Sequence, residues 1–176
     1  MKNRIFLLLL LCLSLPSFAT HNRAGEILYK SIPGSNPFLF QITIITYTKT
    51  GGASDNADRC NLDVNFGDGT SATVNRTNGP IGDLCSAGVG NGESVPGAFQ
   101  IKKNIYIINH EFPGAGTYTV SMEDPMRNEN IQNIPNSGNV PFYIESKITI
   151  DVNSGGNSAP TLSNPPVDNA CLGLPF

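Results

Sequence analysis

From residue 61 onward the chain alternates. Leu62, Val64 and Phe66 are apolar, and Asn61, Asp63 and Asn65 between them are polar. A period of two is that of a strand with one buried face. After Phe66-Gly67-Asp68-Gly69-Thr70 the alternation resumes at Ala72 and Val74. Asp-Gly between two alternating runs is a hairpin signal. Glycines accept positive φ, and an aspartate bonds its own backbone. Strands are therefore predicted over 61–66 and 70–75. The same pattern predicts strands over 26–31, 38–49, 99–109, 117–123 and 142–152. In the second of these Phe40, Ile42 and Ile44 face one way, and Ile45 and Tyr47 fall out of phase. A bulge at Ile44/Ile45, or burial on both faces, accounts for that. Tyr118, Val120 and Met122 point inward, as do Phe142, Ile144, Ile148, Ile150 and Val152. Seven strands separated by turn signals predict a sandwich of two antiparallel sheets.

Up-and-down succession assigns the connections to two ends. The tight ones, 32–37, 67–69 and 110–116, share one end. The long polar ones, 50–60, 76–98 and 124–140, share the other. Rigid scaffolds present binding residues on such loops, so the long-connection end is the expected recognition surface.

Composition fits β structure, with 18 Gly and 13 Pro punctuating Thr-, Ile-, Val-, Phe- and Tyr-rich stretches. The first 19 residues read differently. Lys2 and Arg4 precede a leucine-rich run over 5–15, and Ser17-Phe18-Ala19 is a small-x-small site. This is a secretory signal peptide, too short for a membrane span. Cys12 sits within it behind the large Leu11, which does not suit lipoprotein processing. Cleavage after Ala19 removes 19 of 176 residues and leaves 157. Losing Lys2 and Arg4 takes the net charge from −3 to −5. A mildly acidic chain without a basic stripe does not suit nucleic acid or an anionic membrane surface. Residues 20–152 make the sandwich. Residues 153–159 read as a flexible linker, and 160–176 as the start of a further, truncated domain. The apolar ending Leu172-Gly173-Leu174-Pro175-Phe176 suggests a fragment.

Export permits disulfides, and the mature chain holds Cys60, Cys85 and Cys171. Cys60 pairs with Cys85, both at the long-connection end, and Cys171 is left for a partner beyond this sequence. Closing that loop stabilises by about 3.5 kcal/mol in the chain-entropy account.

Catalytic motifs are poorly served. His110-Glu111 lacks a second histidine four residues after the first, so it is no zinc-protease helix. Gly88-Val89-Gly90-Asn91-Gly92 opens no helix and is no phosphate cradle. With His21 and His110 as the mature histidines and no G-x-S-x-G, a Ser-His-Asp site finds no support. No cofactor is expected. Asp55, Asp58, Asp83, Glu93, Asp124 and Glu129 fall at the long-connection end, where some of them suit a Ca²⁺ that wants several hard oxygens. No EF-hand spacing accompanies them, and surface loops are acidic for solubility alone.

Two separated segments carry a resemblance. Asn65-Phe66-Gly67-Asp68-Gly69-Thr70 and His110-Glu111-Phe112-Pro113-Gly114-Ala115-Gly116-Thr117-Tyr118-Thr119-Val120 resemble the paired signatures of a PKD domain. The likeness covers about residues 24–152. Phe66 stands where that family often has Trp, Phe112 where it often has Tyr, and two long insertions are present. The resemblance implies an immunoglobulin-like β-sandwich. Phe66, Gly67, Asp68, Gly69, Thr70, His110, Phe112, Gly116 and Tyr118 would be its structural motif. His110 would brace the turn, and the Tyr118 hydroxyl would bond nearby backbone as in a tyrosine corner. Further stretches resemble N-terminal modules of large secreted proteins of gliding Gram-negative bacteria. They are Gly25-Glu26-Ile27, Asp124-Pro125-Met126-Arg127-Asn128, Asn133-Ile134-Pro135-Asn136-Ser137, Val140-Pro141-Phe142-Tyr143-Ile144-Glu145 and Asn164-Pro165-Pro166-Val167-Asp168-Asn169-Ala170-Cys171. Such proteins commonly end in a type IX secretion sorting domain.

The expectation is thus a non-catalytic extracellular binding or spacer module of a larger secreted or surface protein, adhesive or gliding-related. Its partner would be protein or carbohydrate at the cell surface, with further domains of the same chain. The competing expectation is an accessory module of a secreted hydrolase whose catalytic domain lies outside this sequence.

Overall fold

A computed structural model describes residues 22–34, 36–51, 59–81, 85, 88–98, 100–125, 127–129, 131–153 and 157–163. The predicted signal peptide, its cleavage site, His21 and Cys171 lie outside these residues. Among the described residues no helix is long and apolar enough to cross a membrane.

Among the described residues eight strands follow in order: β1 (Asn22–Ser31), β2 (Leu39–Lys49), β3 (Asn61–Asn65), β4 (Ser71–Asn75), β5 (Glu93–Ser94), β6 (Ile101–Glu111), β7 (Gly116–Asp124) and β8 (Phe142–Ile150). They form two antiparallel sheets, β1-β2-β6-β5 and β4-β3-β7-β8. The fold is an immunoglobulin-like β-sandwich, with one strand more than predicted. The addition is β5, two residues paired with Lys102 and Lys103 of β6. So short a strand leaves no alternation to read.

The inward faces meet in one core. Ile42, Ile44, Tyr106 and Phe40 come from the first sheet, and Val64, Val120, Met122 and Ile148 from the second. Fully burying a side chain of this size contributes roughly 1.5–3 kcal/mol. The phase change at Ile44/Ile45 is burial on both faces. β2 pairs with β6 without a break from Leu39↔Glu111 to Lys49↔Ile101, so no bulge intervenes. Ile45, Tyr47 and Ile101 form a second cluster on the outer face, with Leu28, Ile105, Val95 and Ala98 packed against it.

Several boundaries differ from expectation. β1 starts at Asn22 rather than Glu26, because Asn22 is buried and forms a bridge with Arg127. β6 runs to Glu111, so His110 is a strand residue paired with Phe40 rather than part of the turn. β8 ends at Ile150, and Val152 is exposed instead of sharing its buried face. The segment read as a flexible linker is bonded to β1. Ser31 N–H donates to Asn157 O at 3.1 Å, and Ala159 N–H to Tyr29 O at 2.8 Å. On the opposite side Arg76 forms a bridge with Tyr106, and Thr77 N–H donates to Ile105 O at 2.8 Å. The chain leaving β4 thereby crosses to the other sheet and closes that side of the sandwich.

Candidate functional site at the long-connection end

The tight-turn end gathers the signature residues. Asn65 Oδ1 accepts the Gly67 N–H at 2.8 Å, and Asp68 Oδ1 accepts the Thr70 N–H at 2.9 Å and its hydroxyl at 2.6 Å. The other Asp68 oxygen accepts from His110 Nε2 at 2.7 Å. His110 stacks on Phe66 and meets Phe112 edge-on. Phe112 in turn stacks on Tyr118, whose hydroxyl donates to Gly114 O at 3.0 Å. Gly116 opens β7 beneath the Tyr118 ring. Gly67 and Gly69 have φ of +77° and +91°. A Cβ on Gly67 would run into the Thr119 backbone, whereas one on Gly69 meets nothing within 4 Å. Burial of the Asp68 carboxylate opposes its ionisation. The hydrogen bonds from Thr70 and His110, with the attraction of His110, outweigh that and hold its pKa below the ordinary 3.8. Every polar atom named here is spent on the turn itself.

The opposite end is built otherwise. Cys60 and Cys85 form a disulfide with Cα atoms 5.5 Å apart, tying the approach to β3 to the connection that follows β4. Arg59 reaches the end of β7, with Nε to Asp124 Oδ2 at 2.9 Å and Nη2 to Oδ1 at 3.2 Å. The Asp124 side chain is 2% exposed against 38% for Arg59. The hydrogen bond to Asp124 outweighs burial and pushes the Arg59 pKa up. Arg127 closes the third connection on itself, donating from Nε and Nη2 to Pro141 O at 3.2 and 2.9 Å, and lies over the Phe142 ring. Between those two residues the chain wraps around buried Ser137, whose Oγ accepts the Ile131 N–H at 3.1 Å. The resulting loop borders an open depression of about 480 Å³ lined by Glu129, Ile131, Gln132, Ile134, Pro135, Asn136, Ser137, Gly138 and Asn139. Glu129 is its sole charge, amides and a hydroxyl supply its polar groups, and two isoleucines and a proline supply its apolar wall.

Beneath this end lies a buried polar network. Arg76 is 1% exposed, and Asn104 is fully buried. Arg76 Nη1 donates to Asn104 Oδ1 at 2.9 Å, and Nη2 donates to Arg59 O at 2.6 Å. Asn104 Nδ2 donates to Thr48 Oγ1 at 3.0 Å, and the Tyr106 hydroxyl to Arg59 O at 2.6 Å. Arg76 continues the inward series Ala72, Val74, and Asn104 precedes inward Tyr106 by two. An inward charge or amide in a strand pattern is the signal that marks them.

The acidic residues considered for Ca²⁺ do not gather among the described residues. No three His, Cys, Asp or Glu side chains there converge on a common point. Glu93 is in β5, and Asp124, read as a loop residue, is the last residue of β7 and is engaged by Arg59. Asp55, Asp58 and Asp83 lie outside the described residues. No family model, no curated protein and no solved structure matches this chain.

Proposed function

We propose that this chain is a non-catalytic, exported binding or spacer module of the PKD kind within a larger secreted or cell-surface protein. It engages its partner, protein or carbohydrate, through the long-connection end. The observation that carries the reading is the contrast between the two ends. At one end the distinctive polar side chains are consumed in bracing a turn. At the other, described residues of each long connection are anchored, and the third connection forms an open depression. Holding a loop before its partner arrives removes part of the ordering cost of binding, so anchored long loops suit recognition. The stretches resembling surface proteins of gliding bacteria include Asp124-Pro125-Met126-Arg127-Asn128 and Asn133-Ile134-Pro135-Asn136-Ser137, which belong to this same end. A role in adhesion or gliding follows from that likeness.

The test is binding of the fluorescently labelled full chain to the surface of intact producing cells, competed by unlabelled chain. Replacing residues 131–136 with a Gly-Ser linker of equal length should abolish competed binding while leaving the melting temperature within a few degrees. Replacing residues 33–36 in the same way should leave binding intact. If the first replacement binds like the parent, or only the second loses binding, the assignment of the working end is wrong.

A further inference from the structure

The Cys60–Cys85 bridge lies against a buried cation. Arg76 Nη2 approaches Cys85 Sγ at 3.7 Å, while the Arg76 backbone N–H donates to Cys60 O at 2.8 Å. The two halves of the bridge are held unequally. Arg59 O, one residue before Cys60, accepts from both Arg76 Nη2 and the Tyr106 hydroxyl at 2.6 Å. The next residue begins β3, paired as Asn61↔Asn75. Cys60 is therefore anchored to the sandwich whether or not the sulfur–sulfur bond exists. Cys85 has the guanidinium beside its sulfur. Both cysteines are half-buried residues.

We propose that this bridge is a thiol-exchange site with a fixed direction, in which Cys60 takes up an external thiol and Cys85 departs. In the step, the thiolate of a small aliphatic thiol attacks Cys60 Sγ in line with the disulfide. A bond forms between that sulfur and Cys60 Sγ, and the Cys60–Cys85 bond breaks. Its electron pair leaves on Cys85 Sγ as a thiolate. One thiolate enters and one leaves, so charge and electrons balance. The product is a mixed disulfide on Cys60. Exchange favours the sulfur that leaves as the better-stabilised anion, and a neighbouring arginine stabilises a cysteine thiolate. Because Arg59, Arg76 and Tyr106 hold the Cys60 side through hydrogen bonds, the sandwich survives the exchange. The change is confined to the long-connection end.

The experiment uses the full chain carrying Cys12→Ser and Cys171→Ser, so that the pair alone reports. The oxidised protein is incubated with glutathione, quenched in acid, alkylated and mapped by mass spectrometry. Early in the reaction, glutathione is expected on Cys60 and the alkyl label on Cys85, with about a tenfold bias over the reverse. Far-UV circular dichroism of the modified protein should match that of the parent. Arg76→Lys should keep the bias, since it keeps a cation beside the sulfur, and Arg76→Gln should erase it. Where the Gln variant fails to form the bridge, the mapping on the parent and on Arg76→Lys decides. Equal labelling of the two sulfurs, preferential glutathione on Cys85, or exchange only after unfolding would each overturn the proposal.

Discussion

His110 lies flat against Phe66, ring centroids 3.8 Å apart and planes within 6° of parallel. The contact joins β6 of one sheet to the turn between β3 and β4 of the other, so a single imidazole bridges the two layers. Its Nε2 ends on Asp68, whose side chain is 3% exposed. The turn and the sheet packing are thus one unit, and Asp68 supplies its carboxylate.

That arrangement makes the fold sensitive to acid. The Asp68 pKa is lowered in the folded state relative to its ordinary 3.8. The unfolded chain therefore binds more protons in the window between the two values, and stability rises with pH there. The contribution is fully present above the unfolded value and is lost as pH falls through the folded one. Asp68→Asn should lower the melting temperature near neutrality and flatten its decline as pH falls through and below the ordinary 3.8. Parallel melting curves for parent and variant across that range would contradict it.

The two turn glycines should not be equivalent. Both need positive φ, which costs a residue with a side chain about 1–2 kcal/mol. Gly69 faces open space, so Gly69→Ala should cost about that and no more. Gly67 also lies against the Thr119 backbone, which cannot rotate away as a side chain can. Gly67→Ala should cost on the order of 3 kcal/mol or more. Urea denaturation of the two variants reads the difference directly.

Tyr118 offers a smaller and cleaner change. Its ring stacks on Phe112, and its hydroxyl donates to Gly114 O. Tyr118→Phe keeps the ring and removes one hydrogen bond, so a loss of about 1 kcal/mol is expected. Cell-surface binding should be unaffected, because the residue lies at the end remote from the long connections.

How much of this could be read from the chain depended on whether a single periodicity governed the segment. Leu62, Val64 and Phe66 obey a period of two, and their strand and hairpin were visible within a residue. The placement of Cys60 and Cys85 at one end followed from counting strand reversals, and their bridge spans that end. Ile45 and Tyr47 broke the pattern because a second apolar layer covers the outer face of β2, a tertiary fact no local window contains. The start of β1 at Asn22 rather than Glu26 has no local signal, because Asn22 bridges to Arg127, more than a hundred residues away. Arg76 differs for another reason. Its position continues the alternation, but a charge at an inward site is rare, so the pattern there favours a loop. The open depression beside Ser137 has no signal in the strand pattern, since it is made by a loop folding on itself.

Arg59 and Asp124 form an ion pair that ties the long-connection end to the sandwich. Asp124 terminates β7 with its carboxylate buried, and both its oxygens take a hydrogen bond from one guanidinium. A bidentate pair of this kind is stronger than a surface ion pair, and removing the cation leaves the carboxylate still shielded from water. Arg59→Met should therefore destabilise by roughly 2–3 kcal/mol, while Asp124→Asn, which keeps the shape and discards the charge, should cost less. The double variant should recover part of the loss, with a coupling energy of about 1–3 kcal/mol in a thermodynamic cycle. Arg59 also carries, through its carbonyl, the bonds from Arg76 and Tyr106, but those survive the substitution because they use the backbone. Strict additivity of the two single changes in denaturant melts would mean that the ion pair does not hold the end together and that the backbone bonds suffice.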